Sequence, residues 1–129
     1  MVITDTSVWI AFIRNRSSEH GMELSRLLHA DEVAITGPVL AEVLQGARNP
    51  HEFARFSSDM EAVRYLDVSR EAWVWVAETS QRLRRAGQAV ALTDLSIAAV
   101  ALLNDSELYT LDRDFGRVPG LRLHQLPPT

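Results

Sequence analysis

Four carboxylates carry the chemistry open to this sequence: Asp5, Glu42, Asp94 and Asp112. They lie far apart along the chain, yet each stands beside an apolar run with the pattern of a strand or a helix. Alone, each has an ordinary role. Asp5, Asp94 and Asp112 can cap or complement a helix start, and a solvated glutamate on a helix is commonplace. Gathered in one place they would repel one another, and burial would raise their pKa values further. A divalent cation relieves both costs. The chain has no cysteine, and His20, His29, His51 and His124 all fall outside the acidic motifs, so the ligands are oxygens, which suit Mg²⁺ or Mn²⁺ rather than zinc. Such a site makes water a nucleophile near neutral pH, and a second cation roughly 3.5–4 Å away stabilises the leaving oxygen of an in-line displacement at phosphorus. Ser7 and Thr110, hydroxyls beside two of the acids, can orient ligands or water, although capping and ordinary strand composition also account for them.

The elements that must position these groups follow from the apolar pattern. Val2-Ile3 predicts a β-strand and Val8–Ile13 a buried helix, with Asp5-Thr6-Ser7 at the junction. In a parallel sheet that junction lies at the carboxyl edge, where open α/β sheets bind ligands. Arg14–Ser18 is a polar break, Leu24, Leu27 and Leu28 mark a second helix that closes at Asp31-Glu32, and Val33–Ile35 is a short strand. Pro38 suits the first turn of the next helix, on which Val39, Leu40, Val43, Leu44 and Ala47 share one side while Glu42 falls off that stripe. Asn49-Pro50-His51-Glu52 reads as a capped helix start, with Phe53, Phe56 and Met60 as the buried side. A strand lies within Val63–Val68, and Ser69 caps a long helix that runs to about Arg85 and stops at Gly87. Its inner face is Ala72, Val76 and Leu83; Trp73, Val74 and Trp75 add apolar surface that serves the core or, on a sharper reading, a dimer contact. Thr93-Asp94 opens Leu95–Leu103, apolar nearly all round and so central, which draws the Asp94 carboxylate toward the interior. Leu108–Leu111 is a strand followed at once by Asp112–Phe115, and Leu121–Leu126 reads as a last strand before Pro127-Pro128. Strands and helices alternate throughout, the mark of an α/β fold with a mainly parallel sheet.

Composition sets the bounds. A chain of 129 residues suits one domain, 1–129, that buries roughly two-thirds of its unfolded surface. Without cysteine, disulfides and thiolate metal sites are unavailable, and a reducing, cytoplasmic setting is the simplest expectation. The longest apolar runs, Val8–Ile13 and Ile97–Leu103, fall well short of the roughly 20 residues needed to span a membrane, so no membrane association is expected. The formal charge is −4, from 17 acids against 13 bases, and every base is an arginine. Two bound divalent cations would bring that to zero, so the balance does not exclude a phosphate-bearing substrate.

Four motifs, taken together, carry a family resemblance. They are the strand ending in Asp5-Thr6-Ser7, the Glu42 helix after Gly37-Pro38, Thr93-Asp94 with Ile97-Ala98-Ala99, and Leu108-Tyr109-Thr110-Leu111-Asp112-Arg113-Asp114-Phe115. Their order and spacing resemble those of PIN-domain ribonucleases, and most of all the small single-domain toxins of the VapBC toxin–antitoxin type. The resemblance spans nearly the whole chain. It implies a PIN-like three-layer fold, with a mainly parallel central sheet of about five strands flanked by helices. It implies Asp5, Glu42, Asp94 and Asp112 as catalytic residues and ligands of Mg²⁺ or Mn²⁺, and an endoribonuclease that leaves 5′-phosphate and 3′-hydroxyl ends on single-stranded or looped RNA. It further implies a homodimer silenced by a cognate antitoxin protein. By the family pattern Asp112 belongs to the quartet, and Asp114 caps or supports the turn. Arg113, inside the acidic motif, is a candidate contact for RNA phosphate or an antitoxin carboxylate. Arg82, Arg84 and Arg85 end a helix, where its dipole explains them without RNA.

Two rival readings come from other classes, and a third keeps the chemistry but changes the substrate. A phospho-accepting receiver domain also gathers aspartates at a sheet edge, but needs a lysine that this chain lacks. A PIN-like module that binds RNA or protein without cutting would carry a broken quartet, whereas all four acids are present. A DNA-cutting nuclease shares the chemistry, since attack by water does not require the 2′-hydroxyl.

Overall fold

Val2, Ile3 and Thr4 form the first strand, β1 (Val2–Thr4), in a computed structural model that describes residues 1–128. It is joined by β2 (Val33–Thr36), β3 (Arg64–Leu66) and β4 (Glu107–Tyr109) in the order β3-β2-β1-β4, with every pairing parallel. Successive strand residues face opposite sides of a sheet, yet all of β1 and β2 is buried, so both faces are covered. The cover comes from α1 (Thr6–Arg14), α2 (Glu19–His29), α3 (Gly37–Gln45), α4 (Pro50–Glu61), α5 (Arg70–Arg85) and α6 (Leu92–Leu103). A 3₁₀ turn, Arg113–Arg117, follows β4. Helix α1 packs on α2 and α3, α3 on α4, and α6 on α5, β1 and β4. None of the described helices is long and apolar enough to cross a membrane.

Local chemistry explains the helix limits. Ser18 Oγ accepts from Gly21 N, Asn49 Oδ1 from Glu52 N and Ser69 Oγ from Ala72 N, caps worth about 1 kcal/mol each. Gly87, with φ of +70°, turns the chain after α5. At the corner between α1 and α2, a Cβ on Gly21 would lie 2.4 Å from the Asn15 carbonyl oxygen, so only glycine fits.

Five expectations need correction. Helix α1 is buried on one face only, through Val8 and Trp9, while Ile10 and Ile13 are about 40% exposed because they line an open cleft toward α3 and α4. The sheet has four strands rather than about five, because Leu121–Leu126 makes a single bridge, Leu123 beside Leu108. Its ladder stops after Leu108 N donates to Arg122 O and His124 N to Leu108 O; Pro127 and Pro128 have no N–H to extend it. Phe53 is 47% exposed, because the inward ridge of α4 is Glu52, Phe56 and Met60, at i, i+4 and i+8. Helix α6 begins at Leu92 behind Ala91, which offers no capping side chain, so Asp94 lies in the first turn and does not open the helix. Strand β4 ends at Tyr109, two residues earlier than its apolar run suggests.

On the far side of β4 from β1, the C-terminal segment is locked down by a polar cluster. His124 Nε2 lies 2.5 Å from Glu23 Oε2 and His124 Nδ1 lies 2.8 Å from Glu107 Oε1. Glu23 is buried on α2 and also takes two hydrogen bonds from Arg26. The Arg26 bond outweighs burial and, with His124, holds the Glu23 carboxyl below its ordinary range. The His124 ring rests on that of Tyr109, 5.0 Å between centroids. Burial, then Glu23 and Glu19, push the Tyr109 phenol up to about 12, so its hydroxyl stays protonated, and it shares a hydrogen bond with His20 Nδ1 at 2.7 Å.

Candidate active site

Adjacent parallel strands bring their exits together. Thr4 pairs with Tyr109, and Asp5 N donates to the Tyr109 carbonyl at 3.1 Å, so Asp5 stands beside the chain leaving β4. Asp5 is only 5% exposed and caps α1. Its Oδ1 accepts from Ser7 N at 3.0 Å and Ser7 Oγ at 2.6 Å, with Val8 N at 3.4 Å; its Oδ2 accepts from Thr110 Oγ1 at 2.5 Å. Each hydroxyl has a second task. Ser7 Oγ accepts from Leu111 N and Thr110 Oγ1 from Asp112 N, both at 2.9 Å. The two side chains thus stitch the β1–α1 junction to the segment that carries Asp112. Burial pushes the Asp5 carboxyl above its ordinary value, against hydrogen bonds from Ser7, Thr110 and Val8 that favour its charged form.

Asp112 caps the 3₁₀ turn, its Oδ1 accepting from Asp114 N at 2.9 Å, and buried Phe115 anchors the turn beneath it. Asp114 instead faces Arg117, whose Nη2 is 3.6 Å from its Oδ1. Arg113 is exposed, with no carboxylate in ion-pair range among the described residues.

Glu42 arrives from the other neighbour of β1, because α3 follows β2 directly. Val39 and Val43 face the core, which leaves Glu42 exposed, and Thr6 Oγ1 donates to its Oε1 at 3.1 Å. Asp94 comes from a return helix: α6 leads into β4, so its first turn lies at the same sheet edge that β4 runs toward. Asp94 is partly buried, and its carboxyl is pushed up to about 6 by burial first, then by the charges of Asp112, Asp5, Glu42 and Asp114. The fold therefore brings all four acids, and Asp114 with them, within electrostatic reach of one point.

Whether these residues suit a cation can be judged from donors and charge. Among the described residues, no three carboxylate or imidazole groups already converge as a ready ligand set. Like charges with no counterion between them spread apart. The donors are all oxygen, the strain falls on Asp94, and Asp5 keeps a free lone pair on Oδ2 because Thr110 is its only partner there. Chemistry and placement fit a hard divalent ion, once side chains rotate inward.

Two contributors escaped the sequence pattern. Thr6 holds Glu42 across 36 residues, and Arg117 Nη1 donates to the Ala89 carbonyl at 2.8 Å across 28. Neither contact leaves a local signal; only the adjacency of Thr6 to Asp5 hints at a role. An open cleft of about 650 Å³ between α1, α3 and α4 starts at Thr6 and Glu42 and is flanked by Arg14, Arg48 and Arg55. Arg82, Arg84 and Arg85 project into solvent at the end of α5.

Comparison with known proteins identifies the family and the fold. The sequence profile of the PIN domain matches residues 2–121. The chain is 33% identical to Ribonuclease VapC5 of Mycobacterium tuberculosis over 127 residues, covering 92% of this chain and 87% of that one. A toxin–antitoxin complex from Klebsiella pneumoniae contains a chain that superposes with a TM-score of 0.70 at 27% identity, covering 94% of this chain and 95% of that one. In the structure of VapBC2 from Rickettsia felis bound to a promoter DNA fragment, a chain 22% identical reaches a TM-score of 0.81 over 96% of this chain and 98% of its own. The sheet order, the acids at its carboxyl edge and these matches lead to one assignment: this chain belongs to the PIN-domain family, alongside the VapC ribonucleases.

Proposed function

We propose that this protein is a divalent-metal-dependent endoribonuclease, the toxin of a type II toxin–antitoxin pair, and that it hydrolyses RNA phosphodiester bonds at its four-carboxylate site. One observation carries the reading: Asp112, Asp5 and Glu42, from three separate elements, all add charge at the partly buried Asp94. Such crowding is costly unless a cation is to be held there. The names of the VapC5 relative and of the Klebsiella complex support the nuclease and the toxin parts respectively.

Asp5, Asp94 and Asp112 would hold Mg²⁺ or Mn²⁺, with Glu42 completing the set from the rim. A cation bound there supplies Lewis acidity, making water more acidic and offsetting the charge that builds on the phosphate. The chain's own groups do the rest. Ser7 and Thr110 fix the Asp5 carboxylate, which keeps one lone pair on Oδ2 for a cation. Asp94 must give up its proton before it can serve as a ligand, which ties metal binding to pH. Asp112 is held at the mouth by its cap on the 3₁₀ turn, and Arg113, exposed next to it, is free to pair with an RNA phosphate or an antitoxin carboxylate. The protein would act as a homodimer, for which Trp73 and Val74, exposed on α5, offer apolar surface, and a cognate antitoxin would silence it.

The purified protein, incubated with RNA, should cut with Mg²⁺ or Mn²⁺ and stop in excess EDTA. Sequencing of the ends should find 5′-phosphates, and expression should arrest growth unless the antitoxin is supplied. Equal cutting in EDTA would remove the metal from the account. RNA retained but never cut, with any divalent ion, would leave a binding module in place of an enzyme.

A further inference from the structure

We infer that Arg117 is a positioning residue that sets the separation of Asp94 and Asp112. The inference rests on the reading of these acids as one cation site. Asp112 rides on the 3₁₀ turn after β4, and Asp94 on the first turn of α6. Among the described residues, no backbone hydrogen bond outside the regular elements joins residues 86–94 to residues 111–118. Each segment has its own apolar peg, Phe115 and Val118 under the turn and Val90 under the approach to α6, but a peg fixes depth and not lateral spacing. Arg117 spans the gap. Its Nη1 donates to the carbonyl of Ala89 at 2.8 Å, two residues before the Ala91 that flanks α6, while its Nη2 lies 3.6 Å from Asp114 Oδ1. A guanidinium is a rigid planar fork, so two partners on different nitrogens are held at a set distance from each other.

The strap has a force to resist. Of the charges that act on Asp94, that of Asp112 is the largest, and repulsion between the two carboxylates would push the turn and the helix apart. Anchoring Ala89 to the turn opposes that drift and keeps the site near the spacing a cation needs. Arg117 also faces Asp114, the second acid of the motif, and makes no ion pair with Asp112 among the described residues. Preorganisation of this kind bears on turnover and cation affinity more than on RNA affinity, since Arg117 points to the chain itself.

The test uses Arg117→Ala and Arg117→Lys in the full-length protein. For Arg117→Ala the expected result is a kcat lowered about 10- to 100-fold and a half-saturating Mg²⁺ concentration raised about tenfold, with the KM for RNA changed less than about twofold. Arg117→Lys, able to reach one partner but not both, should fall between, and it decides the question if the alanine variant does not fold. Unchanged kcat and Mg²⁺ dependence would overturn the inference. So would a raised KM at constant kcat, which would make Arg117 an RNA contact. A readout free of metal and RNA separates this inference from the function it rests on: amide exchange at Leu95, whose N–H donates to Ala91 O at 2.9 Å, should speed up about tenfold in Arg117→Ala. If the wild type cuts no RNA with any cation, the proposed function fails, while the exchange rates still decide whether the strap exists.

Discussion

Asp94→Asn should abolish RNA cleavage and at the same time make the metal-free protein more stable. Loss of a cation ligand removes several kcal/mol of transition-state stabilisation, so activity should fall on the order of 10³-fold or more. The stability gain follows from linkage. The folded protein raises the Asp94 pKa from 3.8 to about 6, so between those values the native state binds more protons than the unfolded chain. Stability from this group is therefore complete below about 3.8, declines as pH rises toward about 6, and stays lowered above it. Asparagine is isosteric and uncharged, so the decline vanishes. Asp94 is only partly buried and solvent screens its neighbours, so the gain at pH 7 should be on the order of 1–2 kcal/mol. Urea unfolding at pH 7 and at pH 3.5 checks this, since the two proteins should converge at the lower value. A variant less stable than wild type at pH 7 would mean that Asp94 serves mainly as a favourable charge at the α6 N-terminus.

His124→Ala should cost about 2–4 kcal/mol, and Glu107→Gln less than about 1 kcal/mol, although both residues belong to one hydrogen-bonded chain. The difference is burial. Glu23 is 4% exposed, and without His124 one of its oxygens loses a partner where water cannot replace it; among the described residues Arg26, on the surface side, is what still holds it. The Tyr109 ring loses its neighbour as well. Glu107 is about half exposed, and water takes over when its charge is removed. Both ring nitrogens of His124 lie within hydrogen-bond distance of carboxylate oxygens, a two-sided contact between α2 and β4 that alanine cannot make. Denaturant melts of the two variants test the contrast. Equal losses would show that the bridge acts at the surface and that Glu23 is already satisfied by Arg26.

Much of the candidate site's placement was legible because its acids sit at element junctions. Val2-Ile3, then Asp5, then an apolar helix is a local pattern, and in a parallel sheet it fixes which edge Asp5 occupies. Glu42 was legible by helical periodicity, since Val39 and Val43 point inward and leave it outside. Asp112 followed from the strand before it. The misreadings came where tertiary context overrode pattern. Phe53 lies one residue off the ridge of Phe56 and Met60, a rotation that a short, polar helix does not reveal. Leu121–Leu126 alternates like a strand, but its length of pairing depends on a partner edge, and only Leu108 accepts and donates there. Thr6, Arg117 and His124 make contacts across 36, 28 and 101 residues, and no local spacing encodes them. His124 had no assigned role in the sequence because its carboxylate partners, Glu23 and Glu107, belong to α2 and β4 and not to any acidic motif.

Everything here depends on the acids acting as one cation site. Anomalous diffraction from crystals grown with millimolar Mn²⁺ tests that directly. A single region of manganese density should appear, bounded by the carboxylates of Asp5, Asp94 and Asp112 with Glu42 at its edge, and it should vanish in Asp94→Asn. Manganese bound elsewhere, or no manganese at all in crystals of protein that still cuts RNA, would contradict it.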